Sequence, residues 1–300
     1  MNKALFYGTA GVFFFAFTFI LNRSMHLSGG HWIWSASLRY FFTLPMLAVI
    51  VGRQYGFSNI HSEIKNNTFQ WFTWSMTGFG LFYTLLVFAG DHGEAWLLAA
   101  LWQVTIVMGV LMAPLFGSKI SMRNLAASFV ILAGVFLLQF QGVSGFDPEN
   151  SLLTLIPILI AAIAYPLGNR KMMAACGSNI STIERIYGMT LCTMPLWILM
   201  AAYGAFKLGA PSANQVFQSF LVALFSGVVA TFLYFKATDL AKTDIKQLAL
   251  VESAQSLEVV FALIAGIIFL GDALPNHAGA AGIVLIIAGM TLNSLLALRH

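Results

Sequence analysis

Two acidic residues stand inside a long apolar stretch. From Leu248 to Gly271 the chain reads LALVESAQSLEVVFALIAGIIFLG, apolar enough to cross a bilayer, yet it holds Glu252 and Glu258. A carboxylate in hydrocarbon costs several kcal/mol, and such acids usually mark ion or substrate pathways. With about 100° per residue, Glu252, Ser256, Gln255 and Glu258 share an arc of about 160°. The rest of the circumference is mainly Val, Leu, Ala and Phe. A polar stripe of this kind faces protein or a water-filled cavity. Glu258 falls near the middle of the stretch, and Glu252 about 9 Å closer to one end. An acid in that setting is suited to trade a proton for a substrate. The alternative is structural: both acids hydrogen-bonded to neighbours, or paired with Arg39, a second charge inside an apolar run. The pairing is the favoured reading of Arg39, since buried charges are normally paired.

The elements that position these residues follow from composition. Hydrophobic residues make up 59% of the 300 and charged residues 9%, against about 25% charged in soluble domains. A chain so poor in polar surface belongs in lipid. Its basic balance bears on loop orientation, and no basic cluster with interleaved aromatics suggests a nucleic-acid face. Apolar runs of about 20 residues mark bilayer crossings. Ten are expected: 4–22, 31–52, 69–90, 94–116, 123–141, 151–169, 182–203, 214–236, 245–271 and 277–298. The first is long enough to be a span and lacks a clean cleavage site, so it is not read as a signal peptide. The connections are short. Asp91-His92-Gly93-Glu94 holds metal-ligand types but reads as a solvated turn. Cys176 and Cys192 read as free thiols, and no metal site or cofactor is expected.

Lys and Arg set the orientation. With the N-terminus in the cytoplasm, the outer side holds only Arg23 and Lys207, Arg39 lies within a span, and the rest, Arg185 among them, fall on the inner side. Both termini are therefore expected in the cytoplasm.

The chain also repeats itself. Asn22-Arg23 ends the first span and Asn169-Arg170 the sixth. Leu44-Pro45-Met46 in the second span answers Met194-Pro195-Leu196 in the seventh. Leu115-Phe116-Gly117 ends the fourth and Phe269-Leu270-Gly271 the ninth. Ile131-Leu132-Ala133-Gly134 lies in the fifth and Ile286-Ile287-Ala288-Gly289 in the tenth. Five spans is an odd number, so the second half enters from the opposite face. The halves are 1–145 and 146–300, an inverted-topology repeat in one all-α membrane domain. In transporters built this way the substrate site lies near mid-membrane between the repeats.

Ten spans in two inverted fives, the Leu270-Gly271-Asp272 ending and the small-residue-rich tenth span resemble the drug/metabolite transporter superfamily. The aromatic-rich first half resembles its multidrug-resistance efflux branch most. The first half departs from the Leu-Gly-acid ending, having Gly117-Ser118-Lys119. The resemblance implies the fold, transport rather than catalysis, and a cell (inner) membrane location.

Aligning Gly117 with Gly271 sets Glu258 against Val104, one residue from Gln103. A neutral amide from one half and an acid from the other then meet at similar depth. Trp74, Tyr83 and Trp102 lie deep enough to form an aromatic wall suited to cations and flat rings. Trp32, Trp34, Trp71 and Trp96 read as interface-belt residues. Arg39, Glu252 and Glu258 sum to −1 if all are ionised, which favours a cation. The expected function is secondary export of a small aromatic or lipophilic cation in exchange for protons. Glu258 is the main exchange site and Glu252 a second proton acceptor. Gln255, Ser256 and Gln103 supply hydrogen bonds. The alternative is an exporter of amino acids or other zwitterions, with Arg39 on the carboxylate and Glu258 on the amine. No His-Glu-x-x-His or Gly-x-Ser-x-Gly is present to suggest an intramembrane enzyme. The expected partners are the solute, protons, lipid and at most a second copy of the chain.

Overall fold

The structure, a computed structural model, describes residues 3–117, 122–138, 148–176, 179–241, 251 and 254–297. Among these residues every regular element is helical. In chain order the helices are α1 (Lys3–Leu27), α2 (Trp32–Gln54), α3 (Ser58–Asn66), α4 (Thr68–Gly90), α5 (Ala95–Leu111), α6 (Met122–Leu138), α7 (Pro148–Ala175), α8 (Thr182–Lys207), α9 (Ala213–Thr238), α10 (Ala254–Leu270) and α11 (His277–Ala297). Six are long and apolar enough to cross a membrane: α1, α2, α4, α7, α8 and α9. The apolar helices α5, α6, α10 and α11 are shorter in their described parts. Glu252 lies outside the described residues, as do residues 242–246 between α9 and α10.

The 53–68 connection is not a plain loop. Ile60 and Ile64, four residues apart, give α3 one apolar stripe, and Ile60 is fully buried under α8. Helix positions four apart share a face, so this short segment packs flat against the bundle instead of spanning it.

Small residues set the closest approaches. A Cβ on Gly134 of α6 would sit 2.6 Å from the Gly282 carbonyl oxygen and 2.8 Å from the Ile286 side chain of α11, and Gly282 and Gly289 of α11 return the constraint. Gly168 of α7 lies directly against the backbone of Gly78 in α4. In lipid, helices associate through such packing, because burial from water no longer drives them together. Large rings fill the wider gaps. Tyr40 of α2 stacks on Trp197 of α8 at 4.3 Å between centroids. Trp71 and Trp96 are fully buried, which corrects the interface-belt reading. Trp71 occupies the space that the missing side chain of Gly188 leaves on α8.

Several irregularities occur twice, about 150 residues apart. Wide π-type turns interrupt α4 at Met76–Leu81 and α9 at Ala223–Ala230. Gly56 and Gly209 both take positive φ (74° and 79°), as do Gly117 and Gly271 (76° and 69°). Helix α1 packs on α9 and α10, while α7 packs on α4 and α5.

Candidate transport site

A cavity of about 320 Å³ lies among α1, α2, α4, α5, α7, α8, α9 and α10. Its polar lining comes chiefly from Arg39, Gln103, Arg185, Gln255 and Glu258, and Trp102, Phe82 and Tyr165 supply aromatic surface.

Glu258 and Gln103 meet here. Gln103 Nε2 donates to Glu258 Oε2 at 3.3 Å and to the Ala99 carbonyl at 3.0 Å. Both residues are buried. Each sits at a local break. Helix α5 tightens at Gln103, whose N–H bonds the carbonyl three residues back, at Ala100. The described part of α10 begins with a 3₁₀ turn at Ala254–Ser256 before the α-helical Leu257–Ala265. Residues three apart eclipse in such a turn, which puts Gln255 and Glu258 on one face, toward the cavity. The same turn changes the fate of Ser256. An uninterrupted helix would put it in the stripe, but it is buried and does not line this cavity.

Arg39 also faces the cavity, without the expected ion pair. Among the described residues no carboxylate is within ion-pair distance of it. Its Nη2 donates to Ser226 Oγ at 3.2 Å, and its guanidinium lies 4.1 Å from the Tyr83 ring centroid. Ser226 is itself hydrogen-bonded to Thr18 at 2.6 Å. Tyr83 thus backs Arg39 from outside the lining and takes a hydrogen bond from Asn22 Nδ2. Of the three deep aromatics, only Trp102 lines the cavity, 5.0 Å from Phe82 and 5.5 Å from Tyr165. Trp74 packs instead in a cluster with Trp71, Met172 and Tyr187, facing Lys171 at 6.0 Å.

The sequence puts Arg185 on the inner side, at the start of the 182–203 span. It lies in the first turn of α8 and lines the cavity. Ser181 caps this helix, and Glu184 reaches back to the Ser181 N–H at 2.8 Å. The signal was legible: Ser181-Thr182-Ile183-Glu184 is a capping-box pattern, and it starts the helix before Arg185. The described lining carries two guanidiniums and one carboxylate, +1 if all are ionised; the −1 expected from sequence counted Glu252, which lies outside the described residues, and did not count Arg185.

Polar links tie helices at both ends of the bundle: near the start of α8, Asn59 Nδ2 donates to the Asn179 carbonyl at 2.9 Å and His61 Nε2 lies 3.2 Å from the Tyr187 hydroxyl. At the end bearing residues 28–31, 91–94, 208–212 and 271–276, polar links tie the helices together. Trp34 Nε1 donates to the Gly209 carbonyl at 3.2 Å, and Gln215 Nε2 to the His31 carbonyl at 2.8 Å and Ser35 Oγ at 3.0 Å. His26 Nδ1 is 3.3 Å from Asp91 Oδ1, and the Ala95 N–H donates to Asp272 Oδ2 at 3.3 Å. Asp91 is not the solvated residue expected. Its side chain is 16% exposed, and burial pushes its carboxyl up to about 7, opposed by the nearby Trp32 N–H and Arg23. The cavity runs the other way, along Thr190, Ile186 and Arg185 toward the start of α8 and along Thr231 and Tyr234 toward the end of α9.

Residues 2–299 match the family described as "EmrE: Putative multidrug resistance efflux transporter". The chain belongs to this family. The family is one of membrane transporters of efflux type. Two relatives of this efflux family member are "Uncharacterized protein YjlA" of Bacillus subtilis (strain 168) and an "Uncharacterized 42.1 kDa protein in intracellular alkaline protease 3'region" of Shouchella clausii. The first is 43% identical over 97% of this chain and 94% of its own. The second is 42% identical over 85% of this chain and 70% of its own. A solved crystal structure superposes with a TM-score of 0.65 over 99% of this chain and 98% of that one, at 16% identity. At that identity the likeness speaks for the fold alone.

Proposed function

We propose that this efflux transporter is a secondary active exporter of a small aromatic or lipophilic organic solute, coupled to protons by alternating access. Glu258 is its exchange site, taking either a proton or the solute's cationic group. The observation that carries the reading is the buried Glu258 carboxylate facing the cavity, where the neutral amide of Gln103 donates to it. An acid in a membrane cavity is poised for this trade.

The ten-span, 5+5 inverted architecture belongs to the same proposal, with halves 1–145 and 146–300. The paired π-type turns, the paired positive-φ glycines and the matching helix contacts support it. Lys and Arg place both termini in the cytoplasm of a cell membrane. In that orientation the links of Trp34, Gln215 and His26 tie the outer end, and the cavity reaches toward the cytoplasm, as an exporter awaiting its load requires. Monomer and homodimer both suit this site, which lies within one chain.

The test is ligand-induced thermal stabilisation of the purified protein at pH 6 and pH 8. Saturation at 100 times the dissociation constant adds about 2.7 kcal/mol. Aromatic amines should stabilise the wild type better at pH 8, and Glu258→Gln should remove both the stabilisation and its pH dependence. Equal stabilisation at both pH values, unchanged in Glu258→Gln, would show that Glu258 is not the exchange site.

A further inference from the structure

Among the described residues the charges that line the cavity do not balance. Arg39 and Arg185 line it, and Glu258 is the one carboxylate among the described lining residues. Among the described residues neither guanidinium has a carboxylate within ion-pair distance. Glu184, adjacent in sequence to Arg185, is buried and turned back to its own cap at Ser181. An ionised group at membrane depth is costly, and such groups are normally paired.

Arg39 carries five N–H donors in a rigid fork. One reaches the Ser226 hydroxyl, and the Tyr83 ring backs the plane of the group. A hydroxyl and a ring face hold the fork in place without cancelling its charge. That is how a guanidinium is presented for bidentate binding of an oxyanion. Arg185 stands nearer the mouth, in the first turn of α8, which the Ser181–Glu184 capping box starts. Tyr165 lies within electrostatic reach of Glu258, Arg185 and Arg39 together, so the three charges border one chamber.

We infer that Arg39 is an oxyanion-binding residue of the transport site, that Arg185 draws the anion in from the mouth, and that the exported solute is amphoteric. Its carboxylate or similar oxyanion meets Arg39, its protonated amine meets Glu258, and its flat apolar body lies against Trp102 and Phe82. The inference rests on the export reading above and adds the substrate class. A solute with a cation alone would offer nothing to the Arg39 fork that the Tyr83 ring and the Ser226 hydroxyl hold in place. An anion alone would leave nothing for Glu258 to exchange.

Three probes sharing one body separate the cases: phenylalanine, phenethylamine and 3-phenylpropionate. Binding to wild type, Arg39→Gln, Arg39→Lys, Arg185→Gln and Glu258→Gln is read by thermal shift, with unliganded melting as the folding control. Phenylalanine should bind wild type at least tenfold more tightly than phenethylamine. Arg39→Gln should erase that advantage while leaving phenethylamine within about twofold, and Arg39→Lys should restore part of it. In proteoliposomes Arg185→Gln should slow phenylalanine entry at low concentration more than at saturation. Equal binding of phenylalanine and phenethylamine, both indifferent to Arg39→Gln, would overturn the inference. Dependence of phenethylamine on Glu258 would in that case leave the proton–cation reading standing. If none of the probes shifts the wild type, both readings of this cavity fall together.

Discussion

At the scale of single residues, the site is governed by which polar groups have partners. Gln103 anchors itself on the Ala99 carbonyl and offers its other N–H to Glu258. Gln103→Leu removes the donor and leaves a buried acid alone, a loss of about 1–3 kcal/mol. Amine binding should weaken about tenfold, measurable by calorimetry, whereas Gln103→Asn should be milder. Asp91 gives a second prediction, about stability. Its folded-state pKa of about 7 lies above the unfolded value of 3.8, so between these values the folded state binds the extra proton. Stability from this residue is then present at low pH and lost as pH rises toward 7 and beyond. Asp91→Asn should flatten the melting temperature between pH 5 and 8, and an unchanged profile would show that Asp91 does not set it. The neighbourhood of Glu258 and Gln103 was legible because an apolar helix advertises every polar residue. The surroundings of Arg39 were not: Ser226 and Tyr83 come from helices 187 and 44 residues away, and no local pattern names them.

At the scale of elements, hydropathy finds helices well and their irregularities poorly. The α10 region was read as one uninterrupted helix, and the 3₁₀ turn at Ala254–Ser256 moved Ser256 out of the lining. Apolar length carries no trace of such a turn. Likewise Trp71 and Trp96 sit at the ends of apolar runs, where a belt position is the default, yet each is buried by neighbouring helices. The partner of Trp71 was visible only as a glycine, Gly188, on a distant helix. A side chain there meets the ring at 2.5 Å, and overpacking of this kind costs about 1–3 kcal/mol. Gly188→Val should therefore lower the melting temperature in detergent, and Trp71→Phe in the same chain should recover part of the loss. Additive losses in the double variant would mean that the two positions do not share one packing site.

At the scale of the whole molecule, the proposed orientation bears on the side to which the cavity opens. On the Lys and Arg balance, residues 28–31 and 208–212 are expected outside. Trp34–Gly209, Gln215–His31 and His26–Asp91 tie helices together at that same end. The cavity lies toward the other end, where Arg185 stands. An exporter sealed outside and reaching inward should load from the cytoplasm, and the prediction is about access. With Cys176 and Cys192 replaced by serine, a single cysteine at Ser28 should react with an impermeant maleimide from the outside of right-side-out vesicles. One at Asn59, on α3, should react only when the membrane is everted. A third, at Thr190 in the cavity, should react from the cytoplasmic side and be shielded by bound solute. Labelling of Thr190→Cys from the outside alone would reverse the gate assignment, and reversed labelling of Ser28→Cys and Asn59→Cys would reverse the topology itself. The halves differ in charge at the site, Gln103 against Glu258, although their irregular turns recur. On the proposed inverted repeat, a mirrored scaffold holding an asymmetric site would let both gates open by similar movements while one carboxylate decides what is carried.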